Sequence, residues 1–164
     1  MVFSKRNKFY ALAFIFAGLI ANANQKVEVT ADEFFADEVK QISHLTGNVV
    51  VKKGDYDTLR SDKLTITFDK NKQPTKYTAI GNANFKILLN DKHYDGKGGV
   101  LTYTPANETY TLENNAYLHE SETKKEVFGD KIVVNREKGT YEVKSGSGDA
   151  KKPIRLIFQV EDNK

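Results

Sequence analysis

The stretch Leu45-Thr46-Gly47-Asn48-Val49-Val50-Val51 constrains this chain most, because imperfect copies of it return at a nearly constant interval. The copies are Ala79-Ile80-Gly81-Asn82-Ala83-Asn84-Phe85 and Leu112-Glu113-Asn114-Asn115-Ala116-Tyr117-Leu118, and the steps from Gly47 to Gly81 to Asn114 are 34 and 33 residues. Self-similarity at that period marks a repeat architecture in which each unit buries its apolar face against the next. An interleaved series runs through Ser61-Asp62-Lys63-Leu64, Gly98-Gly99-Val100-Leu101 and Gly129-Asp130-Lys131-Ile132, with steps of 36 and 32 from Asp62 to Gly98 to Asp130. Thr30-Ala31-Asp32-Glu33-Phe34-Phe35 reads as an earlier, degraded member, as terminal repeats commonly are. Two series per period mean two strands per unit.

The residues between these marks alternate, as in Leu64-Thr65-Ile66-Thr67-Phe68, Ala83-Asn84-Phe85-Lys86-Ile87 and Ile154-Arg155-Leu156-Ile157-Phe158-Gln159-Val160. Successive side chains of a strand point to opposite faces, so alternation gives one apolar and one polar face. Turn signals fall between the runs at Lys53-Gly54-Asp55, Asp69 to Pro74, Asn90-Asp91-Lys92, Thr104-Pro105-Ala106-Asn107 and Arg136 to Gly139. No helical period competes with them. The reading is an all-β meander of stacked antiparallel strand pairs, with a flexible break at Ser145 to Asp149 before a last strand over Ile154 to Val160.

Residues 1–23 combine the cations Lys5, Arg6 and Lys8 with an apolar run from Phe9 to Ile20 and the small-x-small triplet Ala21-Asn22-Ala23. That is the pattern of a secretory leader cleaved between Ala23 and Asn24. The apolar run is shorter than the roughly 20 residues that span a bilayer. The expected organisation is a signal peptide over 1–23, one domain over 24–160 and a polar tail over 161–164. The whole chain carries 25 Lys+Arg against 22 Asp+Glu; without the leader's three cations the balance is 22 against 22. Bulk positive charge therefore gives no reason to expect a nucleic-acid partner. With no cysteine in the sequence, stability must come from the core rather than from disulfides.

The residues point to a carrier and not to an enzyme. His44, His93 and His119 lie far apart in sequence without ligand-spaced partners, so no metal site and no cofactor is expected. Asp55-Tyr56-Asp57 lacks the further oxygen ligands of a calcium loop, and Gly96-Lys97-Gly98-Gly99 has no following helix to make a phosphate cradle. The glycines read as a bulge or kink.

The order of Val27-Glu28-Val29-x-x-Asp32, Leu45-Thr46-Gly47-Asn48-Val49, Asp62-Lys63-Leu64, Leu112-x-x-Asn115-Ala116-Tyr117-Leu118 and Gly129-Asp130-Lys131-Ile132, behind an export signal, resembles the OstA-like family over roughly residues 26–160. The resemblance implies an open-ended, twisted β-jelly roll of V-shaped strand pairs in the periplasm. It further implies an interior that shields the acyl chains of lipid A while lipopolysaccharide passes from the inner membrane to the outer-membrane assembly complex. The partners it implies are lipopolysaccharide, an inner-membrane anchor protein and an outer-membrane assembly protein of that pathway, and further copies of the chain joined head to tail.

The apolar face on which such a groove would lie comprises Val27, Val29, Phe34, Val49, Leu64, Ile66, Phe68, Phe85, Ile87, Leu101, Tyr103, Leu118, Ile132 and Val134. Pattern alone reads this face as an ordinary closed core; the resemblance reads it as a lipid groove, with Val27, Phe68 and Phe85 at lining positions. The parity of Val49-Val50-Val51 and of Val100 to Tyr103 stays open, since each run is apolar on both faces. An unclosed sheet leaves edges able to take another strand. The candidate edges are Lys26, Val27, Glu28 and Val29 at one end and Leu156, Ile157 and Phe158 at the other. Two alternatives remain: a membrane-anchored component of the same pathway, and a secreted structural β-solenoid that binds no lipid.

Overall fold

The computed structural model describes residues 26–148 and 151–160; the cleavage position Ala23/Asn24, the leader and the 161–164 tail lie outside the described residues. Ten strands form a single antiparallel sheet: β1 (Val27–Thr30), β2 (Glu33–Asp37), β3 (Ile42–Lys53), β4 (Asp57–Phe68), β5 (Pro74–Leu89), β6 (Lys92–Thr104), β7 (Thr109–Glu120), β8 (Lys125–Asn135), β9 (Thr140–Lys144) and β10 (Arg155–Ile157). Among the described residues the single helical element is a 3-10 turn, Pro105–Asn107.

Each long strand is bent once near its middle, and the sequence repeat sits at the bend. Pairing of β3 with β4 breaks between Thr46 and Val49, that of β5 with β6 between Ile80 and Ala83, and that of β7 with β8 between Glu113 and Ala116. At each break the bulged strand inserts two residues with positive φ: Gly47 and Asn48, Gly81 and Asn82, Asn114 and Asn115. Gly adopts this backbone without penalty and Asn tolerates it better than most residues. An extra residue in one strand bends the ladder. Facing each pair, the neighbouring strand supplies one residue. Asp32 accepts a hydrogen bond from Asn48 Nδ2 at 2.9 Å, and Asp62 accepts one from Asn82 Nδ2 at 3.0 Å. The interleaved series is this second column. In it the counterpart of Asp62 and Asp130 is Gly99, one residue beyond the expected Gly98, because Val100 pairs with Ile80 and Gly98 with Ala83. A side chain at Gly99 would run into Asn114.

The bends divide the sheet into two legs. The first leg holds β1, the ends of β3, β5 and β7 that follow their bends, the starts of β4, β6 and β8, and β10. The second leg holds β2, the complementary halves and β9. The order runs β1-β3-β4-β5-β6-β7-β8-β10, with β2 beside β3 and β9 beside β8. Each terminal bent strand is thus split in two, and among the described residues nothing pairs with the outer side of either. The sheet does not close, and the fold is an open, jelly-roll-like stack of strand pairs.

The inner faces of the two legs make one core, centred on Leu64, Ile66, Leu112, Ile132, Val49 and Val51, each essentially inaccessible. Parity is settled by burial: Val49 and Val51 point inward and Val50 outward, and Leu101 and Tyr103 point inward. The five expected turns all join strands. In Asn90-Asp91 both residues have positive φ, as a two-residue type I′ hairpin requires. Asp69 Oδ1 closes its turn by accepting the backbone N–H groups of Asn71 and Gln73.

The last strand is shorter than expected. Only Arg155–Ile157 pair, with Phe128, Val127 and Glu126 of β8, while Phe158 lies outside the strand and is 62 % exposed. Pro153 carries no N–H for a ladder, and with no strand beyond it β10 receives hydrogen bonds from one side alone.

Candidate functional site

Between the legs lies a cavity of about 100 Å³, several times the about 10–15 Å³ that a single water needs. Its floor is apolar and deeply buried, made by Leu64, Ala79 and Leu112 of the second leg. Phe85, Ile87, Leu59 and Val51 close it from the first leg. The strand tips form its rim, where Lys53, Asp57 and Arg136 are the charged residues.

Local sequence explains how these side chains arrive there. Phe85 faces Gly96 across the β5–β6 ladder. A Cβ at Gly96 would lie 2.6 Å from Phe85 Cε1, so the missing side chain is what lets the ring lie flat on the neighbouring strand. One wall is a cross-strand tyrosine stack. Tyr77 lies opposite Tyr103 and Tyr103 opposite Tyr110, with ring centroids 6.0 and 4.5 Å apart. Aromatic pairs at these separations contribute beyond their buried area. Burial pushes the Tyr77, Tyr103 and Tyr110 hydroxyls above their ordinary range, and Arg136, which hydrogen-bonds Tyr110, partly opposes the shift there.

Lys53 is the inward-facing residue that follows Val49 and Val51, opposite Asp57 at the tip of the first leg. It is 7 % exposed, and among the described residues its Nζ has no hydrogen-bond partner. Burial lowers its pKa, while the Asp57 charge opposes that effect. Asp57 Oδ1 is itself engaged, accepting the backbone N–H of Leu88 at 2.9 Å. Arg136 sits across the cavity with its Nη1 3.9 Å from Glu108 Oε2.

Of the residues expected to line a groove, Leu64, Phe85, Ile87, Leu101 and Tyr103 meet around this cavity. Val49, Ile66 and Ile132 are sealed in the core instead, and Val27, Val29, Phe68, Leu118 and Val134 are half-buried against it. Phe34 does not join them. It lies opposite Leu45 on the split terminal strand β2, and with no strand beyond that edge it stays 50 % exposed. Tyr77 and Ala79, flanking Thr78 in the alternation of β5, also line the cavity. Lys53 and Arg136 had no apolar signal to mark them, and the tertiary fold alone brings them to one rim.

The histidines occupy separate places. His44 Nδ1 is 3.0 Å from Thr65 Oγ1, His93 pairs with Glu122, and His119 Nδ1 donates to Asp95 Oδ1 at 2.9 Å. Among the described residues no group of three His, Cys, Asp or Glu side chains is placed to hold a metal, and no helix is long and apolar enough to cross a membrane.

Residues 28–140 match the family described as "LptA/(LptD N-terminal domain) LPS transport protein". The chain belongs to this family. A relative, the lipopolysaccharide export system protein LptA of Haemophilus influenzae, is 31 % identical over 145 residues, covering 84 % of this chain and 78 % of its own length. Among solved structures, LptH of Pseudomonas aeruginosa, described as the LptA-homologous periplasmic component of the lipopolysaccharide transport device, matches with a TM-score of 0.66 at 20 % identity. That match covers 84 % of this chain and 96 % of LptH. It places the open β-stack of this LptA/LptD-N family member among known folds.

Proposed function

We propose that this chain is a periplasmic lipopolysaccharide carrier. It shields lipid A acyl chains in the cavity between its legs and hands lipopolysaccharide from an inner-membrane anchor protein toward an outer-membrane assembly protein. The observation that carries this reading is an apolar cavity between the legs of an unclosed sheet, in a chain of the LptA/LptD-N family. Each methylene moved from water into such a site contributes about 0.8 kcal/mol, so ten contribute on the order of 8 kcal/mol before ordering costs. No covalent chemistry is required, and the role is transport rather than catalysis. The domain runs from Asn24 to Val160 after removal of the 1–23 leader, and the exported chain begins at Asn24. Copies join head to tail, β10 of one meeting β1 of the next, since these strands end the sheet at opposite edges.

The test places a photo-crosslinking residue at Phe85, on the cavity wall, or at Lys72, in the exposed β4–β5 turn, and adds purified lipopolysaccharide. A light-dependent adduct at Phe85 and not at Lys72 is expected. Folded protein that gives no adduct at Phe85, Val27 or Phe68 has a sealed core, and the structural solenoid then replaces the carrier.

A further inference from the structure

The position of Lys53 is costly to the fold. An ammonium taken from water without a hydrogen-bond partner is among the most unfavourable groups to bury, and buried charges are ordinarily paired. Here the side chain is 7 % exposed and its Nζ has no hydrogen-bond partner among the described residues. The carboxylate opposite gives Nζ no hydrogen bond: Asp57 Oδ1 accepts the Leu88 N–H, and its charge acts on Lys53 only through space. The other cation in the cavity lining, Arg136 on the other leg, is already engaged by the Tyr110 hydroxyl and lies 3.9 Å from Glu108. An apolar cavity with a buried ammonium in its lining is complementary to an amphiphile, not to a neutral hydrocarbon.

We propose that Lys53 binds the phosphate group of an acyl amphiphile whose hydrocarbon chain occupies the cavity. The inference rests on the carrier reading above and adds a polar anchor to it. A phosphate monoester offers oxygens that an ammonium binds by charge-assisted hydrogen bonds. Bound ligand supplies the partner that Lys53 lacks in the free protein. The anchor also fixes which end of the amphiphile faces the strand tips, which a wholly apolar cavity does not.

The chain from Asn24, which contains all ten strands, is titrated with dodecyl phosphate, with dodecyl glucoside and with inorganic phosphate, each amphiphile below its micelle-forming concentration. The wild type is expected to bind dodecyl phosphate at least about tenfold more tightly than the glucoside, the scale of one hydrogen bond to a charged group. Lys53→Met should bring that ratio close to one by weakening dodecyl phosphate binding, and Lys53→Arg should preserve it. Lys53→Met removes an uncompensated charge, so it is expected to stay folded, and its circular dichroism checks this. An undiminished ratio in Lys53→Met overturns the proposal. Displacement of dodecyl phosphate by equimolar inorganic phosphate makes this an anion site without an acyl requirement and also overturns it. If wild-type protein binds neither amphiphile, the carrier reading itself fails; if it binds both equally, only the phosphate anchor fails.

Discussion

Replacing Ala79 by Leu separates the cavity's role in binding from its role in stability. Ala79 is 2 % exposed, lies between Leu64 of β4 and Leu101 of β6, and forms part of the cavity floor. The substitution adds three carbons, directed into the cavity of about 100 Å³. At about 0.8 kcal/mol for each buried carbon group, full accommodation would stabilise the fold by about 2.4 kcal/mol. Overpacking strain of about 1–3 kcal/mol opposes this, so the net change in stability should be small. Binding has no such offset. Three ligand methylenes lose their place, which costs about 2.4 kcal/mol and weakens an acyl ligand roughly 50-fold. The assays are urea denaturation and titration with a fluorescent acyl amphiphile. An acyl affinity within about twofold of wild type in a normally folded Ala79→Leu protein would refute the assignment of this cavity to the acyl chain.

Gly81→Ala should cost about 2–3 kcal/mol, because φ there is +80° and the new Cβ meets the Asp62 carboxylate that accepts from Asn82. In an Asp62→Ala background the contact is gone and about 1 kcal/mol of that cost should disappear; strict additivity in urea denaturation would contradict the bend ladder. Stability should be level around neutrality and fall above about pH 10, the ordinary tyrosine value. The native state keeps Tyr77, Tyr103 and Tyr110 protonated after the unfolded chain has released those protons, and Tyr94 and Tyr117 are pushed up to about 12 in the same direction. Lys53, whose pKa burial lowers, works with the opposite sign just below its ordinary value of 10.5. Ultraviolet difference titration checks this, and tyrosines that all ionise together near pH 10 in folded protein would contradict it. Leu156→Pro in β10 should lower the mass of any head-to-tail oligomer in light scattering while thermal unfolding of the monomer shifts little; unchanged oligomer mass removes this edge from the assembly.

The fold was legible because its most demanding backbone feature repeats in the sequence. Two consecutive residues with positive φ restrict a position to Gly and Asn, so every second strand carries the same mark at its bend. Turn chemistry is equally local: Asn90-Asp91 and the Asp69 turn declare themselves within a few residues. Alternation then gives which residues face inward within each leg. It does not distinguish the sealed layer, Val49, Ile66 and Ile132, from the cavity wall, Leu64, Phe85 and Leu101, since all six have the same parity and similar apolarity. What separates them is which side chains of the facing leg stand over them, a product of tertiary structure. The C-terminal strand failed for a related reason, because alternation over Ile154 to Val160 measures what a strand needs on its faces and not whether a neighbour exists to pair with it.

The same geometry explains why the bend and the cavity belong together. A straight eight-strand stack would present one flat apolar face, which either aggregates or packs shut against a second layer. Bending every strand at one level folds that face upon itself, so a single sheet supplies both walls. Beside the bend sit the small buried residues Ala83 and Ala116, and Leu64 and Ala79 make the cavity floor. Toward the tips the walls diverge, and the side chains that meet there are long ones with polar ends: Tyr77, Tyr103, Tyr110, Lys53 and Arg136. The result is a gradient from apolar floor to charged rim in one direction. Because the sheet never closes on itself, the seam between the tips can run from one edge to the other without interruption by a covering strand. A carrier built this way needs no moving lid to admit an amphiphile; widening the seam requires only that the tips separate, and the ladder hydrogen bonds within each leg need not break.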